Sequence, residues 1–306
     1  RDAYVLEHHE PILLIGIPEQ KLHDFNAKYQ GIRADQRVVV GRSSDSNAVT
    51  IDAVTGATVT VMVVNEIVMR AAHEVAVSLG LIEGGGNARP KIASVRQDVY
   101  QPANWTELTG SGAIRRLHLT RGQIDEAFKG TEAEGIDEAT AQTADETFID
   151  LYAAELNPPT IGRNLLGDNQ YRFLMEELKP GEHAIAVLGS GEYSFKGSGY
   201  VRGGIFDRIV LIQDDVSVRF RDRDHRRINT IAAEGAPDFA EMDLFRIPAG
   251  TGFDPSKPFR IQLLVQREVG PIEKVFQTFD LGYDLPPQYL RQIAARHNAK
   301  LCRQSL

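Results

Sequence analysis

Apolar positions in the first third of the chain change period twice. Arg37–Val40 and Ala48–Val54 are dense in β-branched residues and flank the polar turn Arg42–Ser46, which predicts a pair of strands. From Asn65 to Leu81 the apolar residues Ile67, Val68, Ala71, Val75 and Leu79 fall three or four apart, the spacing of a helix with one buried face. Gly80 stands where that helix needs a residue tolerant of positive φ to end it. The run Gly84-Gly85-Gly86, followed by Asn87 and Pro90, interrupts every period and predicts a boundary.

Beyond the break the pattern is mixed. Ala113–Leu119 alternates, and Thr120 with Gln123 forms a capping box ahead of a short helix ending near Gly130. Phe148–Leu156 fits strand or helix and is stopped by Pro158-Pro159. Asn169–Leu178 predicts a helix with Asp168 as its cap and Lys179-Pro180-Gly181 as its terminator. From there the runs are short and alternating: His183–Leu188, Gly199–Arg202, Arg208–Gln213, Val216–Phe220, Asp243–Ile247, Arg260–Val269 and Lys274–Leu281. Gly270-Pro271 is the clearest hairpin turn. The expected class is α+β, with an antiparallel sandwich or barrel in the second half.

Length and composition narrow the field. At 306 residues the chain is long enough for two domains or one large one, at about 150 residues per domain. Hydrophobic residues at 42% and charged residues at 25% are ordinary for a globular protein, which excludes wholesale disorder. Lys plus Arg number 34 against 42 Asp plus Glu, a formal charge of −8, which argues against non-specific binding to nucleic acid or anionic lipid. With one cysteine, Cys302, the chain can make no internal disulfide, Cys-based zinc site or iron–sulfur cluster. No run of 18 or more apolar residues occurs. Because the sequence opens at Arg1 with neither an initiator Met nor a signal peptide, it is expected to be a piece of a longer protein.

One nonamer carries chemistry: Asp52-Ala53-Val54-Thr55-Gly56-Ala57-Thr58-Val59-Thr60, between a predicted strand and a predicted helix. Three hydroxyls on a turn made permissive by Gly56 and Ala57 lie near a helix N-terminus, where free N–H groups and the positive dipole end favour phosphate. The nonamer contains no Lys or Arg, unlike a P-loop, but a single tethered phosphate does not require one.

These residues resemble the recognition sequence of a flavin transferase, Asp-x-x-Thr/Ser-Gly-Ala-Thr, which marks the FMN-binding domains of the Nqr and Rnf electron-transport complexes and of NosR. The resemblance implies covalent FMN attached through its phosphate to Thr58, with Asp52, Thr55, Gly56 and Ala57 as recognition elements. Thr60 is the second candidate hydroxyl for attachment, and is expected rather to cap the following helix or to hydrogen-bond the phosphate. The flanks resemble the NosR version: His8-His9-Glu10-Pro11-Ile12-Leu13-Leu14-Ile15-Gly16-Ile17-Pro18-Glu19, the run from Glu155 to Gly167, and Gly203-Gly204-Ile205-Phe206-Asp207-Arg208. Residues 295–306 match nothing in the family.

The resemblance implies an order of parts: a truncated FMN-binding domain at 1–86, a mixed α/β connector at 87–180, an antiparallel β-rich, sandwich-like domain at 181–285 and a tail at 286–306. It further implies an electron-transfer flavoprotein rather than a stand-alone enzyme. Such a protein would sit on the periplasmic side of the bacterial inner membrane and relay electrons toward nitrous oxide reductase in denitrification. A flavin transferase would be its maturation partner, and a membrane and iron–sulfur portion of the same protein would lie outside this chain. The other readings are a docking or maturation module for the reductase and a redox-sensing domain. NosR is also described as a regulator of expression, but nothing in this acidic chain reads DNA, so such an effect is expected to be indirect.

Other clusters read more plainly. Glu7-His8-His9-Glu10 could place at most two of its four side chains on one ion, since neighbours in a strand face opposite ways. It is expected to be a polar strand end that brings His8 and Glu10 near the flavin, with no metal. His118 is expected to be a half-exposed sheet residue. The five arginines of Arg219–Arg227 are diluted by two aspartates, which predicts a solvated hairpin tip, with docking to an acidic protein as the alternative. Trp105 and Tyr100 are expected in a loop, filling a gap between domains.

Overall fold

The computed structural model describes residues 19–36, 38–40, 49–52, 58–82, 93–197, 204–214, 216–271 and 273–292. In chain order the first elements are α1 (Glu19–Ala27), β1 (Val38–Val40), β2 (Val49–Ile51), α2 (Thr58–Ser78), β3 (Ala93–Val95), α3 (Trp105–Gly110), β4 (Arg115–Thr120) and α4 (Arg121–Phe128). There follow β5 (Thr147–Glu155), α5 (Pro159–Leu166), α6 (Asp168–Glu177), β6 (His183–Gly191), β7 (Ile205–Gln213), β8 (Val216–Arg221) and β9 (His225–Arg227). The last strands are β10 (Glu241–Ile247), β11 (Phe259–Glu268), β12 (Lys274–Tyr283) and β13 (Leu290–Gln292). The chain is α+β, as its pattern implies. It forms two compact units, one of residues 1–85, 119–148 and 263–279 and the other of 86–118, 149–262 and 280–306.

In the first unit β1 and β2 run parallel, with Val38, Val39 and Val40 opposite Val49, Thr50 and Ile51. Phe25, Tyr29, Val38, Ile51 and Val61 form a small buried core against which Ile32, Val64, Val68 and Met69 pack. Phe25 on α1 and Tyr29 in the turn that follows it meet edge-on with centroids 5.7 Å apart. Helix α2 begins at Thr58, seven residues before the start its apolar period predicts, because the buried Val61 and the partly buried Val64 continue its apolar face upstream. Its end is as expected. Gly80 has φ of +67°, and the Leu81 N–H donates to Ala76 O while the Gly80 N–H donates to Val77 O, both at 2.9 Å, the double closure of a Schellman motif. Thr120 and Gln123 form the expected reciprocal capping box at the start of α4.

Most of the remaining strands lie in two larger sheets. The five-stranded sheet has the order β4-β5-β6-β10-β9 and the four-stranded sheet β12-β11-β7-β8, while β13 pairs with β3. Strand β6 is antiparallel to both β5 and β10, and β7 is antiparallel to β8. Phe245 of the first sheet stacks on Phe220 at 4.3 Å and meets Phe206 edge-on at 4.7 Å, so the sheets share an aromatic core, the expected sandwich arrangement.

Three local expectations are corrected. Pro158-Pro159 ends β5 but also opens α5, with Pro in the first turn, where its missing N–H leaves no bond unmade. Gly167, not Asp168, occupies the N-cap position of α6; Asp168 sits in the first turn and accepts from Arg163 Nε at 2.8 Å. Trp105 is buried in α3, not in a loop, held between Tyr152 and Phe239 by ring contacts at 5.4 and 5.5 Å. The expected strand Gly199–Arg202 and the break at Gly84–Gly86 lie outside the described residues, as do the turn Arg42–Ser46 and residues 293–306.

Candidate functional site

The nonamer lies where a strand feeds a helix. Ile51, the last residue of β2, is buried in the small core. Asp52 follows it into solvent with its side chain 98% exposed, and α2 starts six positions later at Thr58. The site is therefore framed by a strand end and a helix start. The first N–H groups of a 21-residue helix have no carbonyl partner within the helix, and they lie where the dipole is positive. Neither an acidic residue in the first turn of α2 nor a basic one in its last turn alters that polarity.

Two side chains that local pattern does not reveal fix this frame. Lys28, just past the end of α1, donates from Nζ to the Asp52 carbonyl at 3.2 Å and lies 3.8 Å from the Asp52 carboxylate. A cation thus stands beside a motif that has none of its own. On α2, Asn65 accepts from the Tyr29 hydroxyl at 2.9 Å and donates from Nδ2 to Val38 O at 3.1 Å. One amide thereby ties α1, β1 and α2 together. Burial pushes the Tyr29 phenol well above its ordinary range, which keeps it a donor.

The sequence-derived site residues divide accordingly. Thr58 opens α2 and Thr60 lies in its first turn, so Thr60 is a helical residue and not the helix cap. Asp52 stands at the strand end. Thr55, Gly56 and Ala57 lie outside the described residues, as do His8 and Glu10. Among the described residues no group of three or more His, Cys, Asp or Glu could hold a metal ion. The first N–H groups of a helix are donors of the kind that suits an anion.

The second unit holds a cleft of about 360 Å³ between the segment Gln97–Tyr100 and helices α5 and α6. Thr160 and Asn164 strap that segment to α5, through Thr160 Oγ1 to Val99 O at 3.2 Å and Asn164 Nδ2 to Gln101 O at 2.7 Å. The Arg163 guanidinium lies 3.6 Å from the Tyr100 ring centroid. So the Glu155–Gly167 run is a structural joint. Glu155 is buried against His183 at 3.2 Å, Ala184 donates its N–H to Asn157 Oδ1 at 2.8 Å, and a Cβ on Gly162 would overlap Leu156 O and the Tyr171 ring.

The model of the FMN-binding domain family matches residues 1–73, the part that contains the nonamer. The chain is 66% identical to the "Regulatory protein NosR" of Stutzerimonas stutzeri over 95% of its own length and 40% of that protein. It is equally identical, at 66%, to the protein of the same name in Pseudomonas aeruginosa, over 95% of the chain and 41% of the relative. This chain is of the NosR type. It carries an FMN-binding domain at its start and spans about two fifths of the length of these NosR relatives. "Protein NirI" of Paracoccus denitrificans is 29% identical over 94% of the chain and 40% of that protein. No solved structure matches. Among the described residues no helix is long and apolar enough to cross a membrane.

Proposed function

We propose that this NosR-type chain is the flavin-carrying, periplasmic part of a membrane-anchored electron relay, with FMN held as a phosphoester on Thr58. The observation that carries the reading is the position of Thr58. It is the first residue of α2, six after Asp52, within the stretch matched by the FMN-binding domain. Bound flavin would supply the electron-carrying chemistry. The chain's own residues hold and orient it. The N–H groups at the start of α2 would bind the phosphate, Lys28 contacts the strand end that carries Asp52, and Asn65 ties α2 to the small core. A phosphate anchor leaves the ring system free to exchange electrons, which fits a carrier better than a stand-alone enzyme.

Electrons would arrive from a membrane and iron–sulfur portion of the same protein and leave toward nitrous oxide reductase. A flavin transferase would install the cofactor. The acidic composition supports an indirect effect on expression, with no contact to nucleic acid. The test separates relay from docking: Thr58→Val in the full-length protein, scored in cells for nitrous oxide reduction and separately for complex formation with the reductase. The relay predicts lost reduction with binding kept. Retained reduction overturns it, and lost binding points instead to a docking module.

A further inference from the structure

We propose that Lys196 and Asp243 condense to an amide between their side chains, a crosslink that the second unit forms by itself. Asp243 lies on β10 with its side chain wholly buried, and Lys196, 18% exposed in its side chain, brings Nζ to 3.0 Å from Asp243 Oδ2. That approach is not a hydrogen bond, because Oδ2 accepts none. The amine nitrogen thus rests against the carboxyl group outside the geometry of an ordinary charge-assisted bond. Reacting groups in a near-attack arrangement stand about 3–3.5 Å apart.

Both partners are clamped. Glu241 lies two residues before Asp243 on the same face of β10. It accepts from Ser194 Oγ at 2.7 Å and from the Phe195 N–H at 3.2 Å, while the Lys196 N–H donates to Ser194 Oγ at 3.1 Å. Phe195 is itself fully buried. The strand that presents the carboxyl group therefore also fixes the backbone that presents the amine. A proton carrier stands beside them. His225, 7% exposed in its side chain, bonds through Nε2 to Asp243 Oδ1, and its ring lies 4.9 Å from Phe206 and 5.5 Å from Phe245. On the other side its Nδ1 is 3.6 Å from Asp222, which is 62% exposed.

An ammonium and a carboxylate contain every atom the step requires. Nζ bonds to Cγ, the Cγ–Oδ1 bond breaks, and two of the three ammonium protons leave on Oδ1 as water, carried across by His225. Oδ2 becomes the amide carbonyl oxygen. No oxidant, cofactor or net proton is consumed. Two features of the site favour the product. A buried ion pair carries a desolvation cost that a neutral amide does not, and two clamped groups need no encounter. A permanent salt bridge is the competing outcome.

The experiment is the intact mass of the chain produced without a flavin transferase, compared with the mass its sequence requires. The crosslink predicts a mass lower by one water and, after trypsin digestion, one branched peptide that joins Lys196 to Asp243. Lys196→Arg keeps the charge, cannot condense in this way and should restore the full mass. His225→Gln should form the bond about a hundredfold more slowly, read as a joined fraction that grows with time after purification. A wild-type chain of full mass overturns the proposal and leaves a buried ion pair. Loss of water that persists in Lys196→Arg, as from a cyclic imide at an aspartate, overturns it too. The branched peptide of the wild-type chain decides the matter even where a variant fails to fold.

Discussion

Lys28 and Asp52 meet across 24 residues of chain: the ammonium donates to the Asp52 carbonyl at 3.2 Å and stands 3.8 Å from its carboxylate. This contact gives the Asp52–Thr60 motif the cation its own sequence lacks. Both side chains are solvated, so Lys28→Met should change stability by less than about 1 kcal/mol. It should nevertheless slow flavin transfer about threefold, since that factor requires well under 1 kcal/mol of lost positioning. A time course of adduct formation by mass spectrometry checks it, and an unchanged rate denies Lys28 any part in presenting the motif.

Asn65 makes a stronger demand. Leucine of similar size would leave the Tyr29 hydroxyl and the Val38 carbonyl without their partner, a loss of about 2 kcal/mol. Tyr29→Phe, which removes only one of the two bonds, should cost about half as much. Hydrogen exchange across α1, β1 and α2 should report faster opening there and none in the strands of the second unit.

Gly162 marks a close approach. Because an added Cβ would overlap the Leu156 carbonyl and the Tyr171 ring, Gly162→Ala must displace α5 from β5 and α6. The expected loss is about 3 kcal/mol or more, read from denaturant unfolding. A near-neutral result would mean that the joint is looser than its geometry implies.

Glu155 supplies a pH signature. Burial raises its carboxyl above the ordinary 4.5, opposed by the His183 ring and the Asn157 N–H. The fold therefore holds the neutral acid better than the ion. Stability linked to this group is complete below the unfolded value and declines as pH rises through the raised one. Glu155→Gln removes that decline, so its stability relative to wild type should improve from pH 4 toward neutrality. A difference that stays constant with pH contradicts the assignment.

Much of this was legible in the sequence, and the failures share a cause. Strands such as β8, with one buried face, follow from alternation, whereas β5 and β6 are buried on both faces; the capping box at Thr120 and the stop at Gly80 are local devices with local signatures. The first turns of α2 were not legible, since Thr58–Val64 is β-branched at every position but Met62 and reads as strand by propensity. Burial of Val61, Val64 and Val68 on one face overrides that preference. Pro159 was ambiguous because proline suits both a strand's end and a helix's first turn. Lys28, Asn65 and the Arg163–Tyr100 stack join residues 24 to 63 positions apart, and periodicity carries no information about such pairs.

Most directly at stake is the attachment of FMN to Thr58. Intact mass spectrometry of the chain co-expressed with a flavin transferase should show a gain of one FMN less one water, and Thr58→Val should abolish the gain together with the visible flavin spectrum. An adduct that persists in Thr58→Val, or a wild-type chain that gains no flavin, would contradict the account.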